Sequence, residues 1–184
     1  SSTGVYGNHK GALVNEKSVL NAKSNFDKVR VKSEKLWKIF CQKNNLNLNI
    51  VRISGIYGPQ RITKFNRKKM DVIIKKNHYF SRIHVLDAAR LITKIILENL
   101  NNEIWNLADD FPSSRELFLL EVIKIKNIKN YNRIQFEEYK ATLSDRAKKF
   151  WLDNKRVSNS KIKKYFEYSF IFPNYKSGIK NLKE

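Results

Sequence analysis

Ser1-Ser2-Thr3-Gly4-Val5-Tyr6-Gly7 opens the 184-residue chain and reads as the end of a strand running into a glycine-rich turn. Gly4 and Gly7 supply backbone freedom, and hydroxyls gather where a strand would deliver side chains to a cleft. No strand precedes the turn, as expected of a fragment; the competing reading is a loose terminal tail. The order of elements downstream favours the fragment.

Working outward, the spacing predicts an amphipathic helix over 25–43, with Phe26, Val29, Leu36, Ile39 and Phe40 as its apolar face. A strand over 48–53 follows and ends in Ser54-Gly55. A second short strand is expected over 79–85 and a helix over 87–99, with Ala88, Leu91, Ile92, Ile95 and Ile96 on one side. A third strand over 103–108 closes in Asp109-Asp110-Phe111-Pro112. Ser113 or Ser114 then caps a helix reaching about residue 126, with Glu116 in its first turn.

Beyond Tyr131 the spacing suggests an edge strand over 134–139, helices over 144–150 and 158–166, and a last helix starting near Pro173 or Asn174 and interrupted at Gly178. Strand and helix alternating in this way argue for an α/β layout with a largely parallel sheet. The expected organisation is 1–130 as part of the main sheet domain with interleaved lobe segments and 131–184 as mainly a smaller lobe packed on that sheet, with a soft boundary around 127–132.

Composition narrows the class. Apolar residues are 41% and aromatic residues 12%, the balance of a globular chain. No stretch reaches the roughly 18 apolar residues of a membrane span, and the opening residues lack a signal-peptide layout. The single cysteine, Cys41, excludes a disulfide framework and suits a reducing interior, so the expected location is cytoplasmic. Cys41 reads as packing, since no base lies beside it. Three scattered histidines and one cysteine make no metal site.

The net charge of +20 is what a nucleic-acid binder would carry. Here lysine is spread from Lys10 to Lys183 alongside abundant Asn and Ile, a combination that AT-rich codons produce without function. Short clusters such as Arg67-Lys68-Lys69, Lys75-Lys76 and the run from Lys161 to Lys164 alternate with apolar residues, as solvated helix faces do. No specific nucleic-acid partner and no membrane partner is expected.

Four motifs in order carry a family resemblance: the opening Ser-Ser-Thr-Gly-Val-Tyr-Gly, Val51-Arg52-Ile53-Ser54-Gly55-Ile56-Tyr57-Gly58-Pro59, Ile83-His84-Val85-Leu86-Asp87-Ala88-Ala89, and Asn106-Leu107-Ala108-Asp109-Asp110. Together they resemble the extended short-chain dehydrogenase/reductase superfamily, the NAD(P)-dependent epimerases and dehydratases acting mostly on nucleotide sugars. The resemblance implies the C-terminal part of a Rossmann-like doubly wound parallel sheet with a small α/β substrate lobe. It also implies NAD or NADP as cofactor, bound by the longer parent protein. No G-x-G-x-x-G occurs in the chain, and Gly4 to Gly11 does not match a phosphate loop. The expected partners are a small molecule, a nucleotide sugar foremost, and a second copy in a homodimer.

The family's Tyr-x-x-x-Lys pair, followed by a small residue and Glu, aligns through Ser33-Glu34. That puts Phe26 at the tyrosine and Arg30 at the lysine. A phenyl ring has no proton to exchange, and arginine does not deprotonate in proteins. The chain thus resembles an atypical branch that keeps the scaffold and lacks the dyad.

Ser2 falls at the catalytic Ser/Thr; its hydroxyl either meets substrate or satisfies the strand-end backbone. Gly55 and Ile56 match the segment approaching the nicotinamide, though Gly55 replaces the usual Asn. Arg52 and Tyr57-Gly58-Pro59 fit the family's Arg…Tyr-Gly-Pro signature. Tyr6, Tyr57 and Arg82 are expected on the substrate side, Arg82 either meeting a phosphate or forming a structural ion pair. His84 and Asp87 read as organisers of a strand-helix junction, and His9 as a loop residue. The rival readings are a non-catalytic dinucleotide-binding sensor or scaffold and a basic nucleic-acid-binding module.

Overall fold

Local sequence sets the helix starts. In this computed structural model, which describes residues 1–59, 61 and 70–180, Ser24, Ser114 and Ser144 each accept a backbone N–H of the turn that follows. They open α1 (Asn25–Lys43), α3 (Arg115–Ile125) and α5 (Asp145–Leu152). His84 does the same for α2 (Val85–Leu97), its Nδ1 accepting from the N–H of Leu86 at 3.2 Å. The remaining helices are α4 (Phe136–Lys140), α6 (Ser160–Phe166) and α7 (Tyr175–Lys180).

The strands are β1 (Leu13–Val14), β2 (Asn49–Ile53), β3 (Gly55–Tyr57), β4 (Met70–Ile74), β5 (Arg82–His84), β6 (Glu103–Leu107), β7 (Tyr131–Gln135) and β8 (Arg156–Val157). They pair as β1–β8, β2–β6, β3–β5 and β4–β7, and each of these ladders is parallel. Ser2 joins β2 through a parallel bridge to Ile53, so the opening residues extend the β2–β6 ladder on its free side. Helical crossovers between parallel strands define the expected α/β class.

Two apolar clusters hold the layers together. The inner face of α2 (Ala88, Leu91, Ile95) packs with Trp105 and Leu107 of β6 and with Ile162 of α6. The inner face of α3 (Phe118, Leu119, Val122, Ile123) packs with Tyr57, Met70 and Val72, and with Tyr175 and Ile179 of α7. A buried polar network fastens α1 to the sheet. Arg52 donates from Nε and Nη2 to the two carboxylate oxygens of Glu34, at 3.0 and 2.7 Å. Its Nη1 donates to the Tyr6 hydroxyl at 2.9 Å, and that hydroxyl donates to Asn106 Oδ1 at 2.8 Å.

Several expectations are corrected. The strand expected over 134–139 is β7, which ends at Gln135. Phe136 is buried and Glu137-Glu138 sit at a helix start, so the next residues form α4. The strand expected over 79–85 is reduced to β5 because His84 caps a helix beginning at Val85. Helix α7 runs through Gly178, where a Cβ would lie 2.5 Å from the Tyr57 ring; glycine there permits close packing and breaks nothing. The apolar face of α1 is not a core face. Phe26, Val29, Leu36, Ile39 and Phe40 are all more than half exposed, and Glu34 and Cys41 are the buried positions.

Segment 131–184 packs against the earlier elements: β7 pairs with β4, β8 with β1, and α6 joins the α2 cluster. The basic cluster Arg67-Lys68-Lys69 lies outside the described residues.

Candidate functional site

Parallel strands deliver their C-terminal ends to one side of a sheet, where open α/β folds bind ligands. A cleft of about 560 Å³ lies beyond the C-terminal end of β2, along β3 and at the start of β5. Ser2, Thr3 and Gly4 reach it from the chain start, Ser54, Gly55 and Ile56 from beyond β2, and Ser81 and Arg82 from β5 and the residue before it. Helix α1 contributes Phe26, Asp27 and Arg30, and the segment between α5 and β8 contributes Asp153 and Lys155. Five cationic side chains line it (Arg30, Arg61, Arg82, Arg115, Lys155) against two carboxylates, Asp27 and Asp153. Its charge therefore suits an anionic ligand.

Seven of the eight expected site residues line this cleft: Ser2, Phe26, Arg30, Gly55, Ile56, Tyr57 and Arg82. Tyr6 is the correction. Its ring is fully buried and its hydroxyl is occupied by Arg52 and Asn106, so it fastens the core. Burial pushes its phenol up despite the arginine beside it.

The others differ in what they can offer. The Ser2 hydroxyl accepts the N–H of Gly4 at 3.1 Å, which still leaves its own proton to donate. Phe26 and Arg30, one helical turn apart, share the α1 wall, and Arg30 pairs with Asp27 at 2.9 Å. Gly55 has ordinary contact room, the nearest atom to a built Cβ being Ser81 O at 3.5 Å.

Tyr57 is buried and its hydroxyl meets no hydrogen-bond partner among the described residues. Burial and the nearby carboxylates Asp109 and Asp87 push its phenol well above the ordinary range, so it stays protonated. Arg82 is held as a strut: Nη1 donates to Phe80 O, Ser113 O and Ser113 Oγ, and Nη2 to Ser114 O. Its guanidinium lies 4.6 Å from the Phe118 ring centre, and burial lowers its pKa to about 10. Burial raises the neighbouring Asp109 to about 8, and one of its oxygens has no partner among the described residues.

Sequence reasoning missed Arg115, Asp153 and Lys155 in the cleft. The Asn154-Lys155-Arg156 run looks like any other basic stretch of a lysine-rich chain, and only the β1–β8 pairing brings it to the site. His84 and Asp87 are junction residues as expected. Asp87 accepts hydrogen bonds from Tyr168 Oη and from the N–H groups of Ile171 and Phe172.

A dinucleotide finds only part of a site in these residues. The opening turn is closed to a pyrophosphate, since a Cβ on Gly4 would lie 2.3 Å from Asp27 Oδ1. A carboxylate already packs where a phosphate would have to come, and it would repel one. Gly55 and Ile56 line the open cleft. Among the described residues no group of three or more His, Cys, Asp or Glu could hold a metal ion, and no helix is long and apolar enough to cross a membrane.

The elements define a Rossmann-type α/β fold, and solved structures share it. A conserved protein of unknown function from Silicibacter pomeroyi DSS is 32% identical with a TM-score of 0.90, over 100% of this chain and 63% of that one. The dTDP-glucose 4,6-dehydratase from Bacillus anthracis, in complex with NAD, is 15% identical with a TM-score of 0.79, over 100% of this chain and 58% of that one. A human epimerase family protein with NADPH is 15% identical with a TM-score of 0.78, over 100% of this chain and 63% of that one. The chain thus spans about three fifths of the length of the structures it matches. No family model matches the sequence, and no curated protein does.

Proposed function

We propose that this chain is the C-terminal part of an NAD- or NADP-dependent oxidoreductase, epimerase or dehydratase whose cleft takes a nucleotide sugar or a related small molecule. One observation carries the reading: a cationic cleft beyond the C-terminal end of β2, with Ser2, Phe26 and Arg30 on its walls in the order the resemblance implies. In this reading Gly55 and Ile56 face the nicotinamide end, while Tyr57 and Arg82 lie on the substrate side. The Ser2 hydroxyl donates to a substrate oxygen. NAD and NADPH in the Bacillus anthracis and human proteins support the cofactor class.

A second reading, non-catalytic binding as a sensor or scaffold, is favoured by the α1 wall. Phe26 has no proton to give, and Arg30 keeps its proton and is paired to Asp27. Assay of the full-length protein for turnover with NAD(H) or NADP(H) and a panel of nucleotide sugars separates the two. Turnover supports the enzyme, and binding without turnover supports the sensor. Absence of binding to every member removes both.

A further inference from the structure

Lys155 lines the cleft with only 11% of its side chain exposed, in a chain whose lysines are mostly surface charges. Both of its neighbours are fastened to other elements. The Asn154 side chain donates to Asn77 O at 2.7 Å and accepts the Tyr79 N–H at 3.0 Å. Asn154 O accepts the N–H groups of His9 and Gly11. Arg156 Nε donates to Gly11 O at 2.8 Å, and the N–H of Val157 donates to Ser81 Oγ at 2.9 Å. Side chains fixed by such a surrounding shell mark a built site more than a solvated loop.

The charges facing Lys155 come from three directions. Asp153 Oδ2 lies 3.6 Å from its Nζ, and Asp27 of α1 acts on it across the cleft wall. Lys155 in turn acts on the buried His78, which burial and Lys75 depress to about 4, so His78 stays neutral and adds no competing cation. Asp27 is already engaged by Arg30 and by Ser24 Oγ. Burial lowers the pKa of Lys155, partly offset by Asp153 and Asp27, and burial raises that of Asp153. The other cleft cations are arginines, which do not release a proton near neutrality.

We propose that Lys155 is the substrate-contacting amine of this cleft, its Nζ donating a hydrogen bond to a ligand oxygen beside the α1 wall where Phe26 offers none. The proposal rests on the reading of the cleft as a small-molecule site. Asp153 is its positioning residue, holding Nζ toward the cavity.

The test uses the full-length protein with reductively ¹³C-methylated lysines, the Lys155 resonance being assigned from Lys155→Arg. Calorimetry and NMR are run with dTDP-glucose and UDP-glucuronic acid as probes. The expected result is a Lys155 resonance that titrates below the bulk lysines and shifts when a probe binds. Lys155→Met should bind at least tenfold more weakly, and Lys155→Arg within a few fold of the parent. Probe binding with the Lys155 resonance unmoved overturns the proposal and leaves the cleft assignment standing. Failure of both probes to bind overturns the two together. If Lys155→Met does not fold, the resonance of the parent protein decides.

Discussion

Glu34 meets Arg52 through two parallel hydrogen bonds in the interior and accepts a third from Ser1 Oγ at 2.6 Å. Burial alone would raise its pKa, but these bonds and the arginine charge reverse that and hold the carboxyl below its ordinary value. A depressed carboxylate contributes stability above its unfolded pKa and loses it as pH falls through the folded one. Glu34→Gln leaves Arg52 buried without its counter-charge, and the expected cost is about 3–5 kcal/mol in urea unfolding, with a weaker acid dependence than the parent.

Asp109 has the opposite sign. Burial keeps it protonated up to about pH 8, whereas the unfolded residue ionises in the ordinary aspartate range. The folded state therefore binds the extra proton between those values, and stability falls as pH rises through that window, by at most about 1.4 kcal/mol per pH unit. Asp109→Asn should flatten that slope, read by thermal unfolding at pH 5 to 8. Among the cleft-lining residues, Ser2, Phe26 and Arg30 were legible as neighbours because motif order brings the chain start and one face of α1 together. Tyr6 was not: its sequence neighbours say nothing of Arg52, 46 positions away.

At the scale of elements, α7 is held by a close approach. Gly178→Ala would push a methyl group to 2.5 Å from the Tyr57 ring, whose edge also meets His84 and Phe118. Overpacking of this kind costs about 1–3 kcal/mol, and chemical denaturation should show it without loss of helix content. Helices with a side-chain cap and a clear apolar stripe were legible, α1 (capped by Ser24) to its observed bounds and α2 (capped by His84) within two residues. The two-residue strands β1 and β8 were not, because a pair so short has no period and exists only through its long-range partner. Strand β3 was hidden inside a segment that reads as a turn, Gly55-Ile56-Tyr57-Gly58-Pro59. The stripe on α1 is amphipathic as its spacing predicts, yet it is exposed, since periodicity reports amphipathicity and not what covers it.

For the molecule as a whole, the parallel ladders and the likeness to solved epimerase and dehydratase structures agree on a Rossmann-type fold, and the cleft lies beyond the end of β2 in that fold. The net charge of +20 is spread along the chain, while the cleft concentrates five of its cations around one cavity. The central claim is that this cavity is the ligand site. A crystal structure of the full-length protein grown with dTDP-glucose and NAD tests it most directly. The account predicts sugar-nucleotide density between Ser2, Phe26, Tyr57 and Lys155, with the nicotinamide against Gly55 and Ile56. Density for the sugar nucleotide elsewhere on the protein, with this cleft empty, would contradict it.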